Sequence, residues 1–497
     1  MCGIAGALCQ PAGEQVQSMI EQIVHRGPDG HGIQNLERAS LGHTRLAILD
    51  IEGGHQPMQI GDTWVVFNGE IYNYCELQKK YLPGKKLKTH SDTEVILHLF
   101  RKLGADFVKL LDGMFAFVIY KNGEYFLARD PLGIKPLYYG IGADGVTLFF
   151  ASEIKTLRGH TNSIREFPAG HWYQSERGWK RYYDIRETIQ PFYGTEADAL
   201  SLIRETLHGA VQKRLLADVP VGVSLSGGLD SSIVSMLACK GTQQLHSFAV
   251  GVEGSEDLTA SQQMSEFLNT QHHQLVYTAG DMVEALPEVL YYLETFDPAL
   301  VRSAIPNYFL ARLTSGYVKV FLTGEGADEV YAGYEYLSDF TNPEALQNEM
   351  VEITEALHNT NLQRADRMSM AFGLEARVPF LDVKSVALAL GFPPAWKMHN
   401  GRVPKHLLRQ AFAGELPENI INRPKQKFSK GAGSSDLLAE IANREISDAE
   451  FISEGNRLKK EWNHSLQNKE ALYYYKSIRE HYDDSFLFRT MGHSRSL

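Results

Sequence analysis

The sequence is poor in cysteine and in long apolar runs, and each shortage excludes a class of protein. Four cysteines, Cys2, Cys9, Cys75 and Cys239, are too few in 497 residues for a disulfide framework, and none has CxxC spacing. A reducing cytoplasm is therefore the expected setting. No apolar run approaches the roughly 18 residues of a membrane span. The N-terminus lacks the basic start of a secretory signal.

Positive charge is also in deficit. Lysine and arginine number 49 against 60 aspartates and glutamates, which gives a formal net charge of −11. Nucleic acids and anionic membranes bind basic surfaces, so neither is an expected partner. The content of 43% hydrophobic and 22% charged residues is typical of a soluble globular protein. A chain of 497 residues exceeds one ordinary core, so two or three domains are expected.

The first third of the chain is rich in short β-type runs. An Asn-Gly pair within residues 115–130 predicts a hairpin, and residues 64–74 and 145–153 predict further strands. A helix is predicted over residues 92–104. This pattern predicts stacked antiparallel sheets with a few helices.

The character of the chain changes near residue 190. Pro, Gly and Thr predict a linker over residues 191–200, between a domain of residues 1–190 and a domain of residues 201–497. Apolar residues from Leu200 to Leu215 then recur at helical spacing. The apolar runs that alternate with the following helices predict an α/β doubly wound parallel sheet, and they cover residues 219–226, 245–252 and 318–324. Beyond about residue 340 the sequence predicts mostly helix.

The start of the chain offers a candidate nucleophile. If Met1 is removed, Cys2 gains a free α-amine, whose pKa is about 7.7–8.0 in model peptides. Such an amine can act as the general base for the thiol of the same residue. Taken alone, the Met-Cys pair favours a small terminal residue without function, so the surrounding motifs must decide.

Those motifs follow one another through nearly the whole first third. They are MCGIAG (1–6), HRGPDG (25–30), GHTRLAI (42–48), NGEIYN (68–73), HSDTEVI (90–96), LDGMFAF (111–117) and RDPLGIKPLYY (129–139). In this order they resemble the N-terminal-nucleophile glutaminase domains of class II amidotransferases. The resemblance implies an α+β N-terminal-nucleophile fold, with Cys2 as the nucleophile that attacks the side-chain amide of glutamine.

The same resemblance implies roles for five further residues. Arg45 would bind the α-carboxylate of glutamine, a task that suits a guanidinium fork. Asp92 and Glu70 would bind its α-amine. Asn68 and Gly69 would form the oxyanion hole, with a side-chain amide and a backbone N–H where negative charge develops. Without the neighbouring matches, Asn68-Gly69 is also compatible with a type I′ turn.

Two segments of the second part carry nucleotide chemistry. LSGGLDSS (225–232) lies between a β run and a helix-like run, where converging N–H groups favour an anion. It lacks the Gly-Lys-Ser/Thr ending of a Walker A loop, and it resembles the pyrophosphate-binding loop of ATP pyrophosphatases. FLTGEGADEVYAGY (321–334) places carboxylates at a strand end, where α/β sheets bind ligands and Mg²⁺ binds beside phosphates. A solvated acidic loop is the alternative for this cluster.

Two more segments, LQRADRMSMAFGLEARVPFLD (362–382) and RPKQKFSKG (423–431), extend the likeness. Together with SGGLDSS and GEGADE they resemble the glutamine-hydrolysing asparagine synthetases, over essentially the whole chain. The ATP-binding residues that this resemblance implies are Leu225, Ser226, Gly227, Gly228, Asp230, Ser231, Val250, Thr323 and Gly324. The implied magnesium ligands are Asp230 and Asp328, and the residues implied for acyl-adenylate chemistry are Glu325 and Lys425.

The implied reaction joins the two domains. ATP would convert the β-carboxylate of aspartate to an acyl-adenylate, and ammonia from glutamine would displace AMP to give asparagine. A protected passage for ammonia, Mg²⁺ as cofactor and a homodimeric assembly are further expectations from the family. This sequence departs from the family's pattern at two places that bear on substrate selectivity. Ala327 stands where the family often has serine, and the segment after Gly431 is shorter than in some relatives.

Other functions stay open on the sequence. An amidotransferase of the same fold could amidate a different carboxylate, in a peptide or a secondary metabolite. A β-lactam-forming or peptide-cyclising relative is less favoured, because such proteins typically lack the full glutaminase set. A regulatory protein without catalysis should have eroded sites, whereas Cys2, Arg45, Asn68, Asp92 and SGGLDSS are intact.

Overall fold

Three β-sheets organise the part of the chain that the structure describes. The computed structural model describes residues 2–161, 163–242, 244–398, 403–424, 431–432 and 435–492. Two antiparallel sheets of six strands each precede residue 182, and a parallel sheet of five strands follows residue 220.

The two antiparallel sheets divide twelve strands between them. The strands are β1 (Gly3–Leu8), β2 (Gly30–Leu36), β3 (Ala39–Arg45), β4 (Met58–Ile60), β5 (Thr63–Ile71), β6 (Gly113–Lys121), β7 (Glu124–Arg129), β8 (Tyr138–Ile141), β9 (Leu148–Ala151), β10 (Arg165–Glu166), β11 (His171–Gln174) and β12 (Gly178–Arg181). The first sheet has the order β10-β8-β9-β1-β3-β2 and the second the order β12-β11-β7-β6-β5-β4. The predicted hairpin is confirmed, since β6 and β7 pair on either side of Asn122-Gly123.

Apolar side chains fill the space between these two sheets. Ile4 and Leu8 of β1 share one core cluster with Val66 of β5 and Val118 of β6. Three helices cover the outer faces of the sheets: α1 (Gly13–Glu21) packs on the first, and α2 (Tyr74–Tyr81) and α3 (Asp92–Leu103) pack on the second. The predicted stack of antiparallel sheets is therefore confirmed, with Cys2 at the start of a central, fully buried strand.

The C-terminal part is built around the parallel sheet. Its strands are β13 (Val221–Ser224), β14 (His246–Gly251), β15 (Gln271–Val276), β16 (Val320–Leu322) and β17 (Glu375–Arg377), in the order β15-β14-β13-β16-β17. Helices pack on both faces of this sheet, which confirms the predicted doubly wound α/β fold. The apolar runs predicted as strands are β13, β14 and β16.

Two strands of this sheet were absent from the sequence prediction, for different reasons. β15 (QHHQLV) is an edge strand whose polar residues are partly exposed, so it has no apolar run. β17 is only three residues long and reads Glu-Ala-Arg. Its two charged residues are fully buried because the Nε atom of Arg377 donates a hydrogen bond to Glu375 at 2.5 Å. Hydrophobic patterning cannot detect a buried strand that is stabilised by an internal ion pair.

Helices make up most of the remaining structure. They are α4 (Ile185–Thr188), α5 (Glu196–Lys213), α6 (Leu229–Cys239), α7 (Glu256–Leu268), α8 (Ala279–Leu293), α9 (Pro298–Ser315), α10 (Ala327–Val330), α11 (Pro343–Glu355), α12 (Asn361–Met370), α13 (Val383–Gly391), α14 (Pro394–Lys397), α15 (His406–Ala411), α16 (Glu418–Ile421), α17 (Ser435–Glu445), α18 (Asp448–Trp462), α19 (Lys469–Ile478) and α20 (Asp484–Thr490). The predicted helical character beyond residue 340 is confirmed, with β17 as an exception. Among the described residues, no helix is both long and apolar enough to cross a membrane.

The helix predicted from Leu200 begins one turn earlier, inside the predicted linker of residues 191–200. α5 starts at Glu196, because Thr195 and Asp198 form a reciprocal capping box there. The domain boundaries themselves, 1–190 and 201–497, stay a prediction.

Candidate active sites

Cys2 lies in a buried position where its backbone faces two polar side chains. Its backbone nitrogen donates a hydrogen bond to Oδ1 of Asn68 at 3.1 Å, and its carbonyl oxygen accepts one from Nε of Arg26 at 3.2 Å. Burial raises the pKa of the Cys2 thiol, although a hydrogen bond from the backbone of Leu46 lowers it in part. A buried thiol of raised pKa needs a local base to become a nucleophile. Met1 lies outside the described residues.

Asn68 and Gly69 lie in the middle of β5, so the alternative of a tight turn is wrong. β5 continues through both residues and pairs with β6 along its whole length. The side chain of Asn68 is fully buried, and its Nδ2 atom donates no hydrogen bond within the described residues. The hydrogen bond from Cys2 to Oδ1 orients the Asn68 amide, and its Nδ2 group stays available to donate to a developing oxyanion.

Gly69 is required by its close contact with the neighbouring strand. Its φ angle is 155°, and a Cβ atom at this position would lie 2.1 Å from the carbonyl oxygen of Met114. Any side chain would therefore separate β5 from β6. Glycine keeps the backbone N–H of residue 69 beside the Asn68 amide.

Arg45, at the end of β3, is held by the loop that follows it. Its Nη1 atom donates to the carbonyl oxygen of Ile51 at 2.8 Å, and its Nη2 atom donates to that of Asp50 at 2.7 Å. A guanidinium has five N–H donors, so these two bonds orient the group without using all of its donors. The arrangement fits a carboxylate ligand.

Glu70 and Asp92 are buried carboxyls whose pKa values lie above the usual range of such groups. Burial raises the pKa of Asp92 to about 6, although Oδ2 of Asp92 accepts a hydrogen bond from the Ile71 backbone at 2.9 Å. Burial and the charge of Glu375 raise the pKa of Glu70 well above its usual range. Two carboxyls that ionise reluctantly would be stabilised by a cationic ligand, such as the ammonium of an amino acid.

The side chain of Arg377 reaches this site from β17 of the parallel sheet. Its Nη2 atom lies 3.5 Å from Oε1 of Glu70, and its Nη1 atom donates to the carbonyl oxygens of Arg214 and Leu216 at 2.7 Å each. Neighbouring positive charges lower the pKa of the buried Glu375 to about 2, against the effect of burial. The sequence motif GLEARVPFLD contains both residues but assigns neither a role, since the contact crosses the two parts of the chain.

The second site begins at the loop between β13 and α6. Gly227 has a φ of 69°, and a Cβ atom there would lie 2.5 Å from Ala260. The Ser226 and Ser231 hydroxyls are 3.1 Å apart, and the Ser231 hydroxyl donates to the carbonyl oxygen of Gly228 at 3.1 Å. The loop thus folds tightly over the N-terminus of α6, where backbone N–H groups favour an anion.

The segment after β16 lies against that loop. A Cβ atom on Gly324 would lie 2.8 Å from Cβ of Asp230 and 3.1 Å from the backbone nitrogen of Ser231, so only glycine permits this approach. The backbone nitrogen of Thr323 donates to the carbonyl oxygen of Arg377 at 3.0 Å. Glu325 forms an ion pair with Nη2 of Arg364 on α12.

Lys405 joins the two predicted magnesium ligands. Its Nζ atom lies 2.5 Å from Oδ2 of Asp230 and 2.5 Å from Oδ1 of Asp328. The lysine side chain is almost fully buried, and its backbone has a φ of 57°. A Cβ atom on Gly333 would clash with Asp328 and with Cε of Lys405. The local fold therefore holds one cation between two carboxylates.

A single pocket gathers these residues. Of the predicted nucleotide and metal residues, its lining includes Leu225, Ser226, Gly228, Asp230, Ser231, Val250, Thr323, Gly324, Glu325 and Asp328. Gly227 supports the loop without lining the pocket. Lys425 lies outside the described residues. Three charged or polar lining residues, Tyr334, Arg364 and Arg423, lie inside motifs quoted above but have no role assigned from the sequence. The others come from helices and loops outside those motifs, and they are Asp257, Arg302, Asn307, Asn361, Lys405 and Arg409.

The fold and the two sites define a two-domain glutamine amidotransferase, with an N-terminal-nucleophile site and a pocket for a phosphate-bearing ligand. Comparison with known families agrees, since the sequence model of a glutamine amidotransferase domain matches residues 1–182. The model described as asparagine synthase matches residues 202–342 and 337–495. The chain belongs to the family of glutamine-hydrolysing asparagine synthetases.

Relatives that align with this chain over most of both lengths support this assignment. The asparagine synthetase [glutamine-hydrolyzing] of Sandersonia aurantiaca is 38% identical, over 97% of this chain and 96% of its own. Asparagine synthetase [glutamine-hydrolyzing] 3 of Arabidopsis thaliana is 39% identical, over 97% of this chain and 87% of its own. A probable asparagine synthetase of Schizosaccharomyces pombe is 39% identical, over 93% of this chain and 89% of its own.

Proposed function

We propose that the protein synthesises L-asparagine from L-aspartate in an ATP-dependent reaction, with ammonia released from L-glutamine. The observation that supports this proposal is that Cys2 and Asn68 are buried and joined by a hydrogen bond in one domain, while Asp230 and Glu325 line a pocket in the other. The products are asparagine, glutamate, AMP and pyrophosphate. We assign residues 1–190 to the glutaminase domain and residues 201–497 to the synthetase domain.

In the glutaminase site the Cys2 thiol attacks the side-chain carbonyl carbon of glutamine. The thiol proton passes to the α-amine that removal of Met1 exposes, and the carbonyl oxygen becomes an oxyanion. The Nδ2 group of Asn68 and the N–H of Gly69 stabilise that oxyanion. The α-ammonium returns the proton to the amide nitrogen as the C–N bond breaks, so ammonia leaves, and water cleaves the resulting thioester to give glutamate and the free thiol. Arg45, Asp92 and Glu70 hold the substrate by its α-carboxylate and α-amine.

In the synthetase site the β-carboxylate of aspartate attacks the α-phosphorus of ATP, and pyrophosphate leaves. The loop of Ser226 to Ser231 binds the phosphates through backbone N–H groups and the N-terminus of α6. Ammonia attacks the acyl carbon of β-aspartyl-AMP, and AMP departs. Glu325, oriented by Arg364, accepts the proton that ammonia must lose. Lys425 is assigned to the charge on the transferring phosphate.

Magnesium fits the carboxylate pair of this pocket. Oδ1 of Asp230 is buried and accepts no hydrogen bond within the described residues. Asp328 contacts the same Lys405 ammonium, so both carboxylates already face one cationic centre. Oxygen ligands of this kind bind Mg²⁺ together with phosphate oxygens. Asp230 and Asp328 would hold the ion, which would neutralise charge on the triphosphate when bound.

The acceptor carboxylate separates this proposal from its rival, an amidotransferase that acts on another carboxylic acid. The test is pyrophosphate release with ATP and Mg²⁺ across a panel of aspartate, glutamate, their peptides and other carboxylates. Release that is strongest with aspartate, together with asparagine as the product, supports the proposal. Release with another acid and none with aspartate would assign the rival function.

The proposal also covers the oligomeric state and the cellular location of the protein. We infer a homodimer and a cytoplasmic location, which follow from the family resemblance and from the scarcity of cysteine. Sedimentation equilibrium tests the homodimer, because a dimer of this chain has twice the monomer mass of 55.8 kDa.

A further inference from the structure

The glutaminase site is contacted by charged side chains from the other domain at two buried points. The first is Asp366, which reaches the site through Arg26 of the glutaminase domain, whose Nε atom donates to the carbonyl oxygen of Cys2 at 3.2 Å. Its Nη1 and Nη2 atoms form a fork with the carboxylate of Asp366 on α12, at 2.8 and 3.1 Å. One guanidinium therefore joins the backbone of the nucleophile to a helix of the synthetase domain.

Further ion pairs fix this bridge on both sides. Nη1 of Arg26 also donates to Glu153 of the glutaminase domain at 2.7 Å. Asp366 accepts a third hydrogen bond from Arg367 at 3.1 Å, and Arg367 in turn donates to Glu294 at 2.9 Å. Arg26 and Arg367 are completely buried. Charges this deep are costly unless every member is paired, so the network tolerates little displacement.

The second point is Arg377. Its guanidinium faces Glu70 across the domain boundary, and two carbonyl oxygens of residues 214 and 216 hold it in place. The backbone carbonyl of the same residue accepts a hydrogen bond from Thr323, beside the nucleotide loop. Arg377 is thus anchored in the synthetase domain while its charge acts on a carboxyl of the glutamine site.

We propose that Asp366 and Arg377 are positioning residues for glutamine hydrolysis that the synthetase domain supplies. This inference rests on the proposed function. Asp366 acts through Arg26 on the backbone of Cys2, and so on the approach of the thiol to the amide. Arg377 acts through Glu70 on the binding of the glutamine ammonium. The glutaminase site is complete only when the synthetase domain is docked against it.

The two residues should have separable kinetic effects. Displacement of a reacting group by about 1 Å can cost about 100-fold in rate. Loss of Asp366 therefore lowers kcat and leaves KM for glutamine little changed. Loss of Arg377 alters the charge around Glu70 and raises KM for glutamine more than it lowers kcat. A purely structural role would lower kcat and raise KM for glutamine together, and it would also lower the synthetase activity.

The experiment measures glutamate release without ATP or aspartate in the full-length wild type, Asp366→Asn and Arg377→Gln. Ammonia-driven asparagine synthesis is measured in parallel, as is the rate at which a glutamine analogue alkylates Cys2. His358→Gln is the matched control, because His358 pairs with Glu166 across the same domain boundary at 2.7 Å, without a contact to Cys2 or Glu70 among the described residues. If Asp366→Asn fails to fold, the double variant Arg26→Gln with Asp366→Asn removes the buried charges as a pair.

The expected result for Asp366→Asn is a fall of about 10- to 100-fold in kcat and in the alkylation rate, with ammonia-driven synthesis preserved. Arg377→Gln should raise KM for glutamine, and His358→Gln should leave glutaminase kinetics unchanged. Wild-type glutaminase kinetics in both variants would overturn the inference, as would equal loss of both activities. Absence of glutamine hydrolysis in the wild type would instead overturn the proposed function.

Discussion

Lys405 places its Nζ atom 2.5 Å from Oδ2 of Asp230, and this ammonium is shared with Asp328. The contact joins the phosphate loop to the acidic segment after β16. It also brings a positive charge to the point where the triphosphate would lie. Electrostatic stabilisation of transferring phosphoryl groups commonly uses such a lysine.

The first prediction concerns Lys405→Met. Removal of the ammonium leaves two carboxylates facing each other and a triphosphate without one of its cations, so AMP formation should fall about 100-fold. Glutamine hydrolysis should persist, because the ion pairs of Lys405 among the described residues are with Asp230 and Asp328 of the synthetase pocket. Lys240→Met is the matched control, since Lys240 pairs with Glu415 at the surface. Undiminished AMP formation in Lys405→Met would contradict this role.

The second prediction concerns the oxyanion hole. Asn68→Ala removes the free Nδ2 donor, and the loss of one such donor typically costs about 2.7–4 kcal/mol of barrier, or 10²–10³ in kcat. The loss in kcat is measured by steady-state glutamate release. Ammonia-driven synthesis is the internal control and should be unchanged. A change confined to KM for glutamine would show that Asn68 binds the ground state rather than the oxyanion.

The third prediction concerns pH. Asp92 has a pKa of about 6, so it is ionised above pH 6 and protonated below it. Because the glutamine ammonium binds the ionised form, KM for glutamine should rise by about ten-fold per pH unit as the pH falls below 6. Burial and the charge of Glu375 also raise the pKa of Glu70, so protonation of Glu70 should raise KM for glutamine in the same direction. In Asp92→Asn, KM should be high throughout and the Asp92 contribution to this rise should vanish. A KM that is flat from pH 5 to 8 in the wild type would refute the assignment.

The fourth prediction separates two neighbouring glycines of the phosphate loop. Gly227→Ala forces a left-handed φ of 69° on alanine and brings Cβ to 2.5 Å from Ala260, whereas Cβ at Gly228 would meet Ser226 Oγ only at 3.4 Å. Gly227→Ala should therefore cost more than about 1 kcal/mol of stability and raise KM for ATP. Thermal unfolding of Gly227→Ala and of Gly228→Ala measures the difference in stability. Equal melting temperatures would contradict the strain at Gly227.

The sequence predicts the parts of these sites that lie close together in the chain. The Cys2 motif, the Asn68-Gly69 pair and the SGGLDSS loop each carry their proposed chemistry within a few residues; the structure joins Cys2 to Asn68 by a hydrogen bond and places the loop at a pocket. Lys405 and Arg377 could not be predicted in this way, because their partners are 175 and 307 residues away. Long-range ion pairs depend on the packing of the two domains, which local patterns do not encode.

The same limit explains the missed strands and a helix boundary. β17 is a strand because Glu375 and Arg377 neutralise each other in the core, and hydrophobic patterning treats both as surface residues. The early start of α5 depends on the capping box of Thr195 and Asp198, which extends the helix beyond its first apolar residue.

The most direct test of the account is Cys2→Ala, assayed for asparagine and AMP with either glutamine or an ammonium salt as the nitrogen source. Cys2 is the nucleophile of one site only, and the phosphate loop and Glu325 lie in the other domain. Cys2→Ala should give no synthesis with glutamine and wild-type synthesis with ammonium. Undiminished synthesis from glutamine, or equal loss with both nitrogen sources, would contradict it.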